Sequence, residues 1–425
     1  MNQRFKKIEN VSGTLILPGD KSISHRAVML SAMAEGESIL YNCLLSEDVI
    51  TTISVFREMG IKIDIEEDKI IVWGNGFNGL TEPDKNLYLG NSGTTTRLLA
   101  GILAAQKFPT TLIGDESLST RPMKRIITPL RQMGANISGE NNCLPLIIKP
   151  TEYLRPIHYE LPIASAQVKS CILLAGLFID EETVVIESKE TRDHTERMLG
   201  LKVVEDEHGK SIYSSMDYYP IAAEYKIPSD ISTAGFFMVL ASLVEGSELV
   251  IKNVSVNETR TGVIAVLEAM GANITAENVT EINGEVRGDL IIKSSELTNV
   301  EFDDEIIPNI IDEIPILAIA GVLAKGDFDI SGVEELRTKE SDRINSMCRN
   351  FELLGLNVDE RKDGFSVSGH ITNYSAVLNS YGDHRIAMAF SILASIIHGE
   401  FTIDNFDCVS VSNPNFLKQL ESISK

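Results

Sequence analysis

"AGFFMVLASLVEGSELVIKN", residues 234–253, decides how this chain folds. Its first half, Ala234 to Leu243, holds one hydroxyl and no charge. A helix built from it is apolar nearly all round, so it must be buried on every side. It is far shorter than the roughly 20 residues a membrane span needs, so the surroundings that bury it are protein. After a break at Glu245–Gly246–Ser247 the stretch turns β-like at "ELVIKN".

The same segment returns along the chain. It reads "RAVMLSAMAEGESILYN" at 26–42, "RLLAGILAAQKFPTTLIG" at 97–114 and "VKSCILLAGLFIDEETVVIE" at 168–187. After 234–253 it reads "PILAIAGVLAKGDFDISG" at 315–332 and "RIAMAFSILASIIHGEFTIDN" at 385–405. A second element alternates with it, a helix end, a glycine and a strand: "FREMGIKIDI" (56–65), "LRQMGANISG" (130–139), "ERMLGLKVVE" (196–205), "LEAMGANITA" (267–276) and "FELLGLNVDE" (351–360). Glycine at that point suits the left-handed residue that ends a helix. A sixth copy, "FLKQLESISK", runs off the C-terminus. Each unit therefore reads strand, helix, strand, helix, strand over roughly 70 residues, and six such units fill the 425 residues. This predicts an α/β protein of two domains with three units each, helices inside and sheets outside. An ordinary doubly wound sheet would instead carry mostly amphipathic helices on its faces.

Composition narrows the function. Apolar content of 43% and charged content of 23% are those of a globular protein. A formal net charge of −23 argues against nucleic acid as a partner, which needs a basic surface. The N-terminus "MNQRFKKIEN" lacks the apolar run of a secretory signal, and a cytoplasmic location is expected. Cys43, Cys143, Cys171, Cys348 and Cys408 are far apart, so reduced and mostly buried thiols are expected. No HxxxH, Cys/His cluster or EF-hand loop is visible, so neither metal nor cofactor is expected.

Against that acidic background, cations gather in knots. Lys21 and Arg26 flank Ser22 and Ser24 in "LPGDKSISHRA" (17–27). "LGNSGTTTR" (89–97) leads into a buried helix, as do "ASAQVKS" (164–170) and "YGDHR" (381–385). "STRPMKR" (119–125), "TRDHTER" (191–197) and "RTKESDR" (337–343) supply Arg121, Arg192, Lys339 and Arg343. Helix N-termini are natural anion sites, and Arg offers a bidentate fork for phosphate and carboxylate. Taken singly, each knot reads as a cap, a turn or a solvated face. Their recurrence at one structural position points to a shared site for a small, multiply anionic ligand. Asp312 and Glu313 precede a buried helix, and Glu340 lies among cations, so Asp312 and Glu340 are candidates for acid–base work.

Seven of these stretches together resemble the 5-enolpyruvylshikimate-3-phosphate synthase family: "LPGDKSISHRAVMLSAMAEGES", "LGNSGTTTRLLAG", "RPMKRIITPLRQMGA", "ASAQVKSCILLAGL", "DEIPILAIAG", "EELRTKESDRI" and "YGDHRIAMAF". The resemblance runs in order from about residue 5 to 418. It implies two inverted α/β barrels, the enolpyruvyl transferase fold, each of three βαβαβ-type units. It places residues 1–20 with 227–425 in the first domain and 21–226 in the second, with the active site in the cleft between. It implies transfer of the enolpyruvyl group of phosphoenolpyruvate to the 5-hydroxyl of shikimate 3-phosphate, with release of phosphate. It implies a monomer working on small molecules, with no nucleic acid and no membrane.

Carried over residue by residue, the resemblance gives Lys21, Ser22, Arg26, Ser165, Ala166, Gln167, Arg192, Asp312 and Lys339 to shikimate 3-phosphate. Lys21, Gly93, Arg121, Gln167, Arg343 and Arg385 fall to phosphoenolpyruvate. Asp312 matches the usual proton acceptor and Glu340 the proposed proton donor, with Lys21 beside them; Asn91 and His384 are supporting. Val411 stands where many members carry a lysine, and the "TTTRLL" variant after Gly93 leaves glyphosate sensitivity open. The related UDP-N-acetylglucosamine enolpyruvyl transferases carry a reactive cysteine before the arginine; "DESLSTR" has none. An RNA 3′-phosphate cyclase and a non-catalytic anion-binding protein are the other readings.

Overall fold

A computed structural model describes residues 1–207 and 209–424. The chain divides into two compact units. One comprises Met1–Pro18, Pro228–Glu281 and Val286–Lys425; the other comprises Gly19–Ile227 with Ile282–Glu285. The short segment Ile282–Glu285 groups with the second unit, and no signal in the sequence indicated that.

In the Gly19–Ile227 unit the three core helices are Lys21–Met33, Gly93–Leu103 and Ala166–Gly176. Three four-stranded sheets accompany them. The first runs Glu224–Lys226, Glu35–Tyr41, Lys69–Asn75, Lys62–Ile65. Its first pair is parallel, Glu224 opposite Ile39, and the next two pairs are antiparallel. The sheets around Thr110–Ile113 and Thr183–Glu187 repeat that order of one parallel and two antiparallel pairs.

In the other unit the core helices are Ile231–Leu243, Ile314–Leu323 and His384–Ile396. All of Ile231 to Ser242 is buried, as the uninterrupted apolar run requires. The strand Glu248–Ser255 pairs in parallel with Ser12–Ile16 and antiparallel with Glu285–Lys293. Glu400–Ile403 pairs likewise with Ser375–Leu378 and Gln3–Phe5.

Most units carry a strand more than the pattern predicts, giving strand, helix, strand, helix, strand, strand. The added strand, such as Lys69–Asn75, lies between the parallel pair and Lys62–Ile65. It follows its neighbour after a short turn, so "IKIDIEEDKIIVWG" reads as one β run in sequence. The glycines of the second repeat, Gly60, Gly134, Gly200, Gly271 and Gly355, all have φ between 63° and 102°, the left-handed helix ending. The five cysteines are free thiols, but only Cys171 and Cys348 are buried; Cys43, Cys143 and Cys408 are partly exposed. Among the described residues no helix is long and apolar enough to cross a membrane.

Candidate active site

In the Gly19–Ile227 unit the candidate residues collect at the N-termini of the three core helices. Asp20 caps the first, accepting from the Ile23 amide at 2.9 Å. Lys21 is its first residue, and its Nζ lies 2.7 Å from Asp48 Oδ2. Arg26, one turn later, is buried. Its Nε donates to Thr195 Oγ1 and its Nη2 to Ser170 Oγ, both at 2.8 Å, while Nη1 reaches the Ser22 carbonyl at 3.0 Å. Burial lowers its pKa to about 10, so it stays cationic at neutral pH.

Gly93 opens the second core helix, capped by Ser92. A Cβ on Gly93 would lie 3.2 Å from Arg97 Nη1 and 3.3 Å from Arg121 Nη1. Two guanidinium groups therefore converge on one helix N-terminus, an arrangement that invites an anion. Asn91 steers Arg121: its Oδ1 accepts from Nη2 and its Nδ2 donates to Asp115 at 2.8 Å. Gln167 Oε1 accepts from Arg97 Nη1 at 2.5 Å, and its Nε2 donates to Thr94 Oγ1 at 3.0 Å. The glycine, the amide and both arginines form one cluster. Ser165 occupies the cap position of the third helix without using its hydroxyl to cap it, and Ala166 follows. Arg192 is half-buried between the strand ending at Glu187 and the helix starting at His194.

The other unit gathers the acids. Arg343, buried, is the hub: Nε donates to Asp383 at 2.8 Å, Nη2 to Glu340 at 2.6 Å and Nη1 to Asp312 at 3.3 Å. Burial works against its charge, but Asp383, Glu340 and Asp312 outweigh it and raise its pKa. Asp312 Oδ1 also lies 3.9 Å from Lys339 Nζ, and its Oδ2 lies 3.9 Å from Arg385 Nη2. Arg385 Nη1 donates to the Asp312 carbonyl at 2.7 Å and lies 3.6 Å from Glu313 Oε1. Asp383 caps the His384–Ile396 helix through the Arg385 amide at 2.8 Å, and His384 is buried beside it. Three cations, Lys339, Arg343 and Arg385, thus face four carboxylates, with Asp312 and Glu340 partly buried and Glu313 and Asp383 fully buried. Val411 is half-buried and brings no cation.

Three participants escaped the sequence reading. Asp48 is the partner of Lys21, Arg97 the partner of Gln167, and Asp383 the partner of Arg343. Each lies inside or near a quoted stretch, but the pairing spans 27, 70 and 40 residues, and no local pattern announces it. Among the described residues no group of three or more His, Cys, Asp or Glu could hold a metal ion.

This architecture is the enolpyruvyl transferase fold. The enolpyruvyl transferase NikO from Streptomyces tendae superimposes with a TM-score of 0.75 at 14% identity, over 99% of this chain and 96% of that one. The EPSP synthase from Acinetobacter baumannii superimposes with a TM-score of 0.87 at 40% identity, over 100% of this chain and 98% of that one. The 3-phosphoshikimate 1-carboxyvinyltransferases of Salinibacter ruber and Endomicrobium trichonymphae are 44% and 45% identical over all of both chains. The profile of the EPSP synthase (3-phosphoshikimate 1-carboxyvinyltransferase) family matches residues 5–420, and the chain belongs to that family.

Proposed function

We propose that the two clusters carry out one reaction, with Glu340 and Asp312 moving the protons and the cations of both units holding the anions. The reaction is the family's own: the enolpyruvyl group of phosphoenolpyruvate passes to the 5-hydroxyl of shikimate 3-phosphate, and phosphate leaves. Glu340 gives a proton to the methylene carbon, which leaves a cationic centre at the adjacent carbon. The 5-hydroxyl oxygen attacks that centre and loses its proton to Asp312, forming a tetrahedral species. That species then returns a proton from the methyl carbon to Glu340 while the carbon–oxygen bond to phosphate breaks and the double bond is restored, and the phosphate leaves with the proton held by Asp312. Both acids gain from the position, because charges that develop in the transition state meet groups already oriented.

The observation that carries this reading is Arg343, which holds Asp312 and Glu340 by one guanidinium at 3.3 and 2.6 Å. It fixes two carboxylates side by side, as a donor and an acceptor serving neighbouring atoms must be. Lys21, Arg121, Arg343 and Arg385, with Gly93 and Gln167, are assigned to phosphoenolpyruvate; Lys21, Ser22, Arg26, Ser165, Ala166, Gln167, Arg192, Asp312 and Lys339 are assigned to shikimate 3-phosphate. The reading requires residues of both units to meet the same substrate pair during turnover. The acidic net charge and free thiols suit a monomer of the cytoplasm acting on small molecules.

The test is phosphate release from phosphoenolpyruvate with shikimate 3-phosphate or UDP-N-acetylglucosamine offered separately. The reading expects turnover with the first acceptor alone. Phosphate release with the second, or with neither, defeats it.

A further inference from the structure

Beneath the third core helix of the Gly19–Ile227 unit lies a buried lysine with two buried carboxylates, none of which the reaction uses. Lys169, one turn past Ser165, is wholly buried, and so are both carboxylates it meets. Its Nζ lies 2.8 Å from Glu187 Oε1 and 2.7 Å from Glu196 Oε1, and it reaches the Thr191 carbonyl at 3.4 Å. Thr191 Oγ1 donates to Glu187 Oε2 at 2.7 Å. Beside Lys169 in the sequence, Ser170 Oγ lies 2.7 Å from Thr195 Oγ1, and Arg26 donates to both hydroxyls. Burial lowers the pKa of Lys169, but Glu196 and Glu187 outweigh it and keep the lysine charged.

Four ionisable groups gather here, Lys169 and Arg26 with Glu187 and Glu196, and burial raises the Glu187 pKa against the pull of Lys169. Burying such groups is costly, and an apolar cluster of the same volume often serves stability equally well. What the ionic version adds is direction. Glu187 ends one strand and Glu196 sits in the first turn of the helix His194–Leu199. Lys169 therefore pins both ends of the segment 188–195, and that segment carries Arg192. The helix of Lys169 itself, Ala166–Gly176, carries Ser165 at its cap position and Gln167 in its first turn.

We propose that Lys169 is a positioning residue for shikimate 3-phosphate: it locks the segment carrying Arg192 to the helix carrying Ser165 and Gln167. The three contacts then share one rigid frame with Arg26. This rests on the assignment of Arg192 to that substrate. Lys169 touches no substrate itself.

Steady-state KM values for the two substrates, with thermal melting as a control, decide it for Arg192→Ala, Lys169→Met and Thr191→Val. Arg192→Ala is expected to raise KM for shikimate 3-phosphate by about tenfold or more and leave KM for phosphoenolpyruvate within about twofold. Lys169→Met is expected to show the same split, and to add less than about twofold on top of Arg192→Ala, because both act through one contact. Thr191→Val removes one hydrogen bond and keeps every charge. It is expected to raise KM for shikimate 3-phosphate by about threefold and to lower the melting temperature by only a few degrees, so it decides the matter if Lys169→Met does not fold. Normal KM values in Lys169→Met and Thr191→Val beside an affected Arg192→Ala would overturn the inference alone. Equal rises in both KM values would overturn it as well. An unaffected Arg192→Ala would overturn the assignment of Arg192, and the inference with it.

Discussion

Asp312 is faced by three cations, Lys339, Arg343 and Arg385, at 3.9, 3.3 and 3.9 Å. Those contacts fix the direction of its carboxylate, which a proton acceptor needs. Asp312→Ala should lower kcat for phosphate release by about 10²–10⁴-fold, the usual range for a lost general base. At Gly93 the constraint is space. The added methyl of Gly93→Ala meets two guanidinium groups at 3.2 and 3.3 Å, so Arg97 and Arg121 must retreat. KM for phosphoenolpyruvate should rise by about tenfold or more, while KM for shikimate 3-phosphate moves little. His25 is a different case. It is buried on the Lys21 helix, with Nδ1 2.7 Å from Thr52 Oγ1, and Thr52 continues to Thr95 at 2.8 Å. Burial is the main cause that lowers its pKa from 6.5 to about 3. The unfolded chain therefore binds a proton that the folded chain refuses between those values. Above pH 6.5 neither state binds it and stability is unaffected; as pH falls below 6.5 stability is lost, until the folded pKa is passed. Between pH 7 and pH 5 the loss from this residue should be about 2 kcal/mol, read as the difference in urea unfolding between wild type and His25→Asn. An identical pH dependence in both proteins would contradict it.

Among the elements, the core helices differ from the outer ones in how closely they approach their neighbours. Gly101 sits where a Cβ would lie 2.2 Å from the Cys171 carbonyl oxygen on the adjoining core helix. Backbone cannot yield there, so Gly101→Ala should cost about 3 kcal/mol or more. Gly200 ends an outer helix at φ 63° with nothing within 4 Å of its missing Cβ. Gly200→Ala should cost only about 1 kcal/mol, all of it backbone strain. Chemical unfolding of the two variants gives the ratio, and equal costs would mean the helices can separate. The helix-ending glycines were legible because a left-handed residue leaves a local signature. The added strands were not, because a hairpin strand after a short turn shares the alternation of its neighbour. The Gly101 contact was not legible either, since it joins helices 70 residues apart and the glycine resembles any other in an apolar run.

For the whole molecule, the repeats carried the reading. Six helices apolar nearly all round can only be buried in protein, and the structure divides them three and three between two units. The positions of the cationic knots could be read too, because four of them open core helices at Lys21, Gly93, Ala166 and His384–Arg385. The other three lie elsewhere: Arg121 caps the end of the short helix Glu116–Thr120, Arg192 precedes the cap of His194–Leu199, and Arg343 opens an outer helix, and what each of them meets depends on tertiary structure. The hub role of Arg343 shows why: its three carboxylates come from residues 312, 340 and 383, and only folding brings them to one guanidinium. A net charge of −23 hides all this, since the acids are spread over the chain and the cations are gathered.

If an acid of this protein protonates carbon and the step reverses, solvent hydrogen must enter the product. The most direct measurement is turnover of phosphoenolpyruvate with shikimate 3-phosphate in deuterium oxide, following the methylene hydrogens by mass spectrometry. Deuterium is expected in the methylene group of the product, because a methyl group forms and gives back one of three hydrogens. Much slower incorporation is expected in Glu340→Gln. A product whose methylene carries no deuterium would contradict the account, since the carbon would then never have been protonated.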